Sequence, residues 1–256
     1  MRSVLSLRNV RKSYRSASRV VNALDGVDLD LLPDHALALV GESGCGKTTL
    51  GELTVGLVRP DSGQIMHDSG TDLANCAPVA LRSLRPRLQM VFQNPFASFA
   101  PHLTLRQSLA PVARRQGIGG EATRQALVDA FAQVGLSADQ LERRPAALSG
   151  GQLQRAGLAR VLLCDAQYIA ADEISSALDV AAQDELARLL SRLRAERRFS
   201  LLFITHDLSL ARQFADHVAV MDAGRIVERG SVDQVLGDPQ SAAARRLVAA
   251  IPRFRH

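Results

Sequence analysis

Alternating hydrophobic and polar positions near the start of the chain predict strands. Between residues 4 and 40, apolar residues recur at every second position. Leu5 and Leu7 share one face of an early strand, and Leu29 and Leu31 share one face of a later strand. A period of two is typical of a strand with one buried side. The N-terminal part is therefore expected to contribute strands rather than helices.

Short apolar runs predict the strands of a buried sheet further along the chain. Buried strands need apolar residues on both faces, so they lack the alternating pattern. Such runs lie at 36–40, 64–66, 89–92, 168–171 and 200–205, and 217–228 has the pattern of a hairpin that turns at 222–224.

Helical periodicity dominates the middle of the chain. Residues 96–161 lack strand patterns, and glycine-containing segments at 117–120 and 135–137 separate its helices. Leu186 and Leu190 then lie on one face of a later helix. We therefore predict a helical subdomain inserted into a mixed α/β core. The expected parts are a core of residues 1–95 and 161–230, a helical subdomain of 96–160, and a short C-terminal extension of 231–256.

A glycine-rich segment follows the apolar run at 36–40 and precedes a predicted helix at 46–58. It matches the pattern G-x-x-x-x-G-K-[ST], whose backbone N–H groups converge on phosphate oxygens. The lysine adds charge at the β- and γ-phosphates, and the following hydroxyl is a Mg²⁺ ligand. This predicts an ATP or GTP site formed by Gly41, Glu42, Ser43, Gly44, Cys45, Gly46, Lys47, Thr48 and Thr49.

Lysine usage supports this site. The chain has 31 Lys and Arg residues, of which only Lys12 and Lys47 are lysine. A planar guanidinium cannot replace a compact ammonium inside a phosphate-binding loop. The retention of Lys47 therefore indicates a specific need for lysine there.

Composition narrows the functional classes. Of the 256 residues, 46% are hydrophobic, but no apolar run reaches the roughly 18 residues of a membrane helix, and no signal-peptide core follows Met1. The three cysteines lack C-x-x-C spacing, which argues against disulfides, zinc and iron–sulfur clusters. The net charge of +5 is spread out and aromatics are 4% of residues. We expect a cytosolic protein with no nucleic-acid partner, whose charge serves as a solvated surface or lies against an anionic membrane.

An acidic pair follows the predicted strand at 168–171. Asp172 is placed to complete a Mg²⁺ site, and Glu173 to polarise an attacking water as general base. The alternative is a pair that only solvates a loop. The phosphate-binding loop upstream favours the catalytic interpretation.

Residues 148–152, with the sequence Leu-Ser-Gly-Gly-Gln, open a further helix. Ser149 is a suitable N-cap, and Gly150 and Gly151 leave backbone N–H groups bare, with Gln152 one turn into the helix. The segment is either a second anion-binding helix start or an ordinary capped helix. Because the chain has two helix starts suited to phosphate, we expect this one to close over the γ-phosphate of a nucleotide bound to a partner subunit.

Two residues have two interpretations each. Tyr14 is either a core residue or a flat ring on which a base stacks. Cys45 is either a small residue that only fills space, or a reactive thiol whose thiolate is favoured by Lys47 and the helix start. In the second case, MgATP should protect Cys45 from alkylation.

These segments together resemble the nucleotide-binding subunits of ABC transporters over nearly the whole chain. The resemblance implies a P-loop NTPase fold of the ABC ATPase type, with a mixed sheet core, an N-terminal antiparallel β subdomain and an inserted helical subdomain. It implies adenine stacking at Tyr14, the Walker A motif at 41–48 and the Q-loop at Gln93. It places the signature motif at 148–152 and Walker B with its catalytic glutamate at Asp172 and Glu173. The D-loop is then 176–179, ending in Asp179, and the switch histidine is His206. Catalytic roles for Glu173, His206 and Gln93, Mg²⁺ contacts from Thr48, Gln93 and Asp172, and nucleotide contacts from Asp179 follow from the same resemblance.

Within this family, the stretch 93–104 and the C-terminal segments 239–240 and 247–252 are similar to ATPases of oligopeptide, dipeptide and nickel importers. The chain departs from that pattern in three places. Residues 241–243 replace the usual His-Pro-Tyr, Ile174 and Ser175 replace the usual Pro-Thr, and residues 33–35 lack the usual glycine. The first two departures resemble the second ATPase of nickel importers.

The resemblance implies an ATP-hydrolysing import motor. By the same resemblance, the motor pairs head-to-tail with a second ATPase subunit and drives two permease subunits. The cargo would be peptides or nickel chelates, supplied by a solute-binding protein. The expected location is the cytoplasmic face of a bacterial inner membrane. An alternative is the ATPase subunit of a soluble complex such as carbon–phosphorus lyase. A DNA-maintenance or translation ATPase is disfavoured, because those proteins need a coiled-coil insertion or tandem cassettes.

Overall fold

The computed structural model describes residues 4–15, 20–174 and 179–251. Its strands are β1 (Leu5–Arg15), β2 (Val20–Leu31), β3 (Ala36–Val40), β4 (Ser62–His67), β5 (Leu88–Val91), β6 (Tyr168–Asp172), β7 (Ser200–Thr205), β8 (His217–Asp222) and β9 (Arg225–Ser231). Its α-helices are α1 (Lys47–Thr54), α2 (Pro78–Leu84), α3 (Leu105–Arg115), α4 (Glu121–Gln133), α5 (Gly150–Leu163), α6 (Val180–Arg197), α7 (Leu208–Phe214), α8 (Val232–Gly237) and α9 (Ala242–Ala249).

A six-stranded sheet forms the centre of the molecule. Its order is β5-β6-β7-β3-β8-β9, and every neighbouring pair is parallel except β8 with β9. Strands β6 and β7 are buried at every position, which explains why their sequences are apolar except at their ends. A second, antiparallel sheet of order β2-β1-β4 packs beside it. The predicted α/β class with an antiparallel subdomain is confirmed.

Helices α3, α4 and α5 pack on one another and surround one hydrophobic cluster that includes Leu109, Phe131 and Leu153. Residues 117–120 and 135–137 lie between these helices, as predicted. Helix α5 ends at Leu163, slightly beyond the expected limit of the helical subdomain. The division of the chain into functional parts stays a prediction.

The structure differs from the sequence prediction at two helices. Helix α1 ends at Thr54 rather than near residue 58, because Gly56 adopts a φ of +68° and leaves the helical region. The short helix α2 was not predicted, since only Leu81 and Leu84 are buried on it. The predicted hairpin is present and turns through Ala223 and Gly224 in left-handed conformations, with its second strand continuing to Ser231.

Candidate nucleotide site

The candidate residues lie at the carboxyl ends of four neighbouring strands. In the sheet, Val91 of β5 pairs with Ala171 of β6, Asp172 pairs with Ile204 of β7, and Thr205 pairs with Val40 of β3. The next residues along the chain are therefore brought to one edge of the sheet. They are Gln93 after β5, Glu173 after β6, His206 after β7 and the glycine-rich loop after β3. Ligands bind at this edge in open α/β sheets.

Two glycines in the loop have no space for a side chain. A Cβ on Gly41 would lie 2.3 Å from the carbonyl oxygen of Met221 and 2.7 Å from Sγ of Cys45. A Cβ on Gly46 would lie 2.2 Å from the carbonyl oxygen of Ala23, and Gly46 also has a φ of +110°. The loop can follow this tight path against β8 and β2 only with glycine at both positions.

The start of α1 is open to an anion. Gly46 is its N-cap without a side-chain hydrogen bond, and its first turn carries no acidic residue. Its first N–H groups are thus not capped by a side chain, which suits phosphate oxygens. Lys47 is only 5% exposed, and its Nζ donates to the carbonyl oxygens of Gly41 and Glu42 at 2.9 Å each. These bonds fix the ammonium inside the loop.

Asp172 and Thr48 have the character of a Mg²⁺ site. Asp172 is 4% exposed, accepts a hydrogen bond from the Thr48 side chain, and has a buried Oδ1 with no hydrogen-bond partner. Burial raises the pKa of this carboxyl, and the nearby Glu173 adds to the shift. A buried carboxylate oxygen without a donor is stabilised by a cation, so the pair fits Mg²⁺. No group of three or more His, Cys, Asp or Glu side chains that could hold a metal ion is found within the described residues.

Three candidate side chains surround the carboxylate of Glu173. Gln93 donates from Nε2 to Oε2 at 3.0 Å, Nδ1 of His206 lies 3.7 Å from Oε1, and Nζ of Lys47 lies 3.9 Å from Oε1. The backbone N–H of Glu173 donates to Ile204, and its φ is +44°. This conformation is strained for a residue with a side chain, and such strain clusters at functional sites. The arrangement can orient a water molecule and hold its proton at the carboxylate.

Tyr14 lies on the surface near the end of β1. Its side chain is 43% exposed, which excludes the core interpretation. Nζ of Lys12 is 5.6 Å from the ring centroid and forms an ion pair with Asp61. The other tyrosine, Tyr168, is fully buried, and its hydroxyl donates to Thr54 at 2.9 Å. Stacking of a base on Tyr14 stays a prediction.

The expectation of a reactive Cys45 thiolate is wrong. Cys45 is buried, and desolvation raises the pKa of its thiol despite the opposing effect of Lys47, whose Nζ lies 4.0 Å from Sγ. The sequence shows the lysine but not the burial, and burial has the larger effect. Cys45 serves here as a small side chain packed against Gly41.

The start of α5 is a second exposed helix terminus. Ser149 accepts from the backbone N–H of Gln152 at 3.2 Å, and the Gln152 side chain accepts from the backbone N–H of Ser149 at 3.0 Å. Gly150 has open space around it. In the described part of the chain, the side-chain hydrogen bonds of Ser149 and Gln152 remain within this capping box. Among the described residues, no hydrogen bond or ion pair joins this segment to the glycine-rich loop of the same chain.

The residues expected to form the D-loop are only partly described. Asp179 is the N-cap of α6 and accepts from the N–H of Ala182 at 2.8 Å. Residues 176–178 lie outside the described residues.

One contact to the loop was not predicted. Arg246 of α9 donates from Nε to Oε1 of Glu42 at 2.9 Å, and its Nη2 lies 3.4 Å from Oδ2 of Asp222. No local pattern could indicate this pair, because 204 positions separate its members. It connects the C-terminal helix to the glycine-rich loop.

Comparison with known proteins identifies the family. The family model described as ABC transporter matches residues 24–176. The chain belongs to this family. It is an ATP-binding cassette, and its enzymatic class is ATPase.

Curated relatives match almost the whole chain. A putative peptide import ATP-binding protein of Brucella ovis is 40% identical over 250 residues, which cover 97% of this chain and 78% of the relative. The dipeptide transport ATP-binding protein DppF of Escherichia coli is 39% identical over 246 residues, covering 96% and 73%.

Solved structures agree in fold. A dimeric ABC transporter cassette is similar with a TM-score of 0.81 and 25% identity, covering 89% of this chain and 98% of that one. The same cassette in a dimeric post-hydrolysis state bound to ADP and Pi has a TM-score of 0.81 and 26% identity. No helix within the described residues has both the length and the apolar character needed to cross a bilayer.

Proposed function

We propose that this cassette is the ATP-hydrolysing motor subunit of an importer. The observation that carries the proposal is the convergence of Lys47, Gln93 and His206 on the carboxylate of Glu173, at the sheet edge where the glycine-rich loop lies. Similarity to ATP-binding proteins of peptide import supports the transport role.

The chain supplies two complementary half-sites. Lys47 and the bare start of α1 bind the phosphates of one nucleotide. The exposed start of α5, with Ser149, binds the γ-phosphate of a nucleotide held by a second subunit. A head-to-tail dimer of this chain with a copy or a related partner completes both sites, and the dimeric state of the similar cassette supports this arrangement.

Thr48, Asp172 and Gln93 would hold Mg²⁺ with the nucleotide, where the ion neutralises phosphate charge. Glu173 accepts the proton of the attacking water. Gln93 fixes the orientation of that carboxylate through its 3.0 Å hydrogen bond. His206 presents its ring to the γ-phosphate from the end of β7.

Nucleotide binding is coupled to movement by differential affinity. The γ-phosphate contacts both half-sites only in the closed dimer, so ATP favours closure and hydrolysis removes that preference. Closure draws the helical subdomains together and changes the conformation of two attached permease subunits. The cargo is a peptide or a small metal chelate such as one of nickel, delivered by a solute-binding protein, and the subunit lies peripherally on the inner face of the membrane.

The proposal is tested by replacing Glu173 with Gln, which keeps the shape of the side chain but cannot accept the proton. ATP hydrolysis should fall by roughly 10²- to 10⁴-fold while ATP binding remains. The variant should elute as a dimer with MgATP in size-exclusion chromatography. The control is Glu142→Gln, at an exposed ion pair with Arg106, which should behave as the wild type.

A native hydrolysis rate in Glu173→Gln would show that the base is another group. The Lys47→Ala variant tests the binding half-site, and unchanged ATP affinity in that variant would refute it. Co-purification of the tagged chain with membrane-embedded permease subunits supports the importer. Co-purification with soluble lyase components would overturn it.

A further inference from the structure

The second of the two lysines in this chain lies beside Tyr14. Arginine accounts for all the other members of the 31 Lys and Arg residues, and Lys47 belongs to the glycine-rich loop. Lys12 precedes Tyr14 by two positions on β1, and its Nζ lies over the Tyr14 ring, 5.6 Å from the centroid. This distance is within the range of a cation–π interaction. The proposed function assigns no role to this second lysine.

Asp61 holds the ammonium of Lys12 and the backbone beside it. Nζ of Lys12 donates to Oδ1 of Asp61 at 2.9 Å. Oδ2 accepts from the backbone N–H of Ser13 at 2.6 Å and from its hydroxyl at 2.8 Å. The backbone N–H of Asp61 donates to the carbonyl oxygen of Arg11 at 2.8 Å. One aspartate thus fixes three consecutive positions of β1, which end directly before Tyr14.

The ring of Tyr14 is supported before any ligand binds. The Lys12 side chain is only 17% exposed, whereas Tyr14 is 43% exposed. The ring therefore has the ammonium on one side and still has surface that a ligand can reach. Ordering a long lysine side chain costs conformational entropy, and here Asp61 compensates that cost within the folded chain. A ring held in this way loses less freedom when a base stacks on it.

A cation beside one face of a ring also changes what the other face can bind. The π cloud makes each face of an aromatic ring negative, so two rings repel where their faces overlap directly. The charge of Lys12 attracts the π electrons of Tyr14. The opposite face is then less negative, and a base with its own π cloud stacks on it with less repulsion.

We propose that Lys12 is a positioning residue for the base of the nucleotide and that it acts through Tyr14. Asp61 anchors the ammonium, the ammonium holds and polarises the ring, and the ring stacks on the base. This inference rests on the proposed ATP-hydrolysing function, and it adds two residues to those that determine ATP affinity. Because the series of contacts ends at the ring, it should change the affinity for ATP and leave the hydrolytic step at Glu173 unaffected.

The test is a double-mutant cycle of Lys12→Met and Tyr14→Ala in the full-length chain, followed by steady-state hydrolysis of MgATP. Methionine keeps the apolar stem of lysine but removes its charge. Lys12→Met should raise the KM for ATP roughly two- to fivefold, as expected for a cation–π contact at an exposed site, and leave kcat unchanged. In the Tyr14→Ala background the same substitution should not raise KM further, because the ring through which Lys12 acts is gone.

Two further variants separate the anchor from the sheet. Asp61→Asn removes the charge that holds Lys12, so it should raise KM by a similar factor or less, and only when Tyr14 is present. Arg8→Met is the matched control, because Arg8 is a cation earlier on β1 that pairs with Asp30. This control should keep the native KM and kcat.

An unchanged KM in Lys12→Met, with a raised KM in Tyr14→Ala, would overturn the positioning role and leave base stacking intact. An equal effect of Lys12→Met with and without the ring would overturn it too, since Lys12 would then attract the phosphates directly. A lower kcat, or an equal loss in Arg8→Met, would assign the effect to the sheet instead.

A native KM in Tyr14→Ala would also overturn the inference, because no base then lies on the ring. Failure of the proposed function itself is distinguished by Glu173→Gln, whose hydrolysis rate does not depend on Lys12.

Discussion

Arg246 of the C-terminal helix α9 contacts Glu42 of the glycine-rich loop, with 2.9 Å between Nε and Oε1. The hydrogen bond and the charge of Glu42 raise the pKa of Arg246 further, so the guanidinium stays charged at any physiological pH. Glu42 is an acidic residue within the loop for which we propose phosphate binding. Arg246 offsets its charge from a distant part of the chain.

Replacing Arg246 with Gln should raise the KM for ATP by a few-fold, because Glu42 then repels the phosphates without compensation. Both side chains are exposed, so the effect should be small and should shrink at high salt. Steady-state kinetics at low and high ionic strength measure it. Arg245→Gln is the control, and Glu42→Gln combined with Arg246→Gln should restore the native KM. A KM unchanged at low salt would show that the pair does not act on the nucleotide.

Tyr14 offers an exposed ring that should stack on the base of the nucleotide. Tyr14→Ala should weaken ATP binding by roughly 5- to 150-fold, since a stacked base contributes about 1–3 kcal/mol, while Tyr14→Phe should retain most of the affinity. Equilibrium titration with a fluorescent ATP analogue gives both values. Equal affinity in the Ala and Phe variants would place the base elsewhere.

Cys45 should resist alkylation at neutral pH. Burial raises the pKa of its thiol above the ordinary value of 9.0, so the reactive thiolate is scarce. Cys76 is only half buried, and it should be labelled first when the peptides are followed by mass spectrometry. Rapid labelling of Cys45 in the folded protein would contradict this order.

The same burial of Cys45 affects stability at high pH. The unfolded thiol ionises near its ordinary pKa, whereas the folded thiol remains protonated to a higher pH. Its contribution to the free energy of unfolding is therefore present below about pH 9 and is lost as the pH rises through the folded pKa. Urea unfolding at several pH values, compared with Cys45→Ala, measures this contribution.

Asp61 should stabilise the first sheet in a pH-dependent way. Hydrogen bonds from Lys12 and Ser13 lower the pKa of Asp61 to about 2. Its stabilising contribution is present above the unfolded pKa, near 4, and is lost as the pH falls toward 2. The carboxylate is partly exposed, so Asp61→Asn should lower the free energy of unfolding by about 1 kcal/mol or less at pH 7 and by clearly less near pH 2. Denaturant titrations at both values of pH check this, and an equal loss at pH 2 would assign the effect to packing.

The sequence predicts the buried strands well because their pattern reflects burial directly. Strands β3, β6 and β7 lie in the middle of the sheet with neighbours on both edges and helices on its faces, so their positions are almost entirely apolar. Glycine identity alone did not reveal that α1 ends early, because the turn depends on the conformation that Gly56 adopts.

Candidate site residues could be named from motifs, but their mutual geometry could not. The positions of Gln93 and Glu173 follow from strands that pair in register, and register is a property of the folded sheet. The contact between Arg246 and Glu42 and the burial of Cys45 depend on tertiary packing. Neither leaves a local pattern in the sequence.

The left-handed backbone conformation of Glu173 is unfavourable for stability, whereas the proposed hydrolysis needs the carboxylate of this residue. A residue with a Cβ is disfavoured at a φ of +44°, whereas glycine adopts that conformation without steric penalty. A Glu173→Gly chain should therefore lose its carboxylate yet resist heat as well as the native protein or better. Variants selected only for thermal tolerance would drift toward glycine here, and the hydrolytic role proposed for Glu173 is what would retain the glutamate.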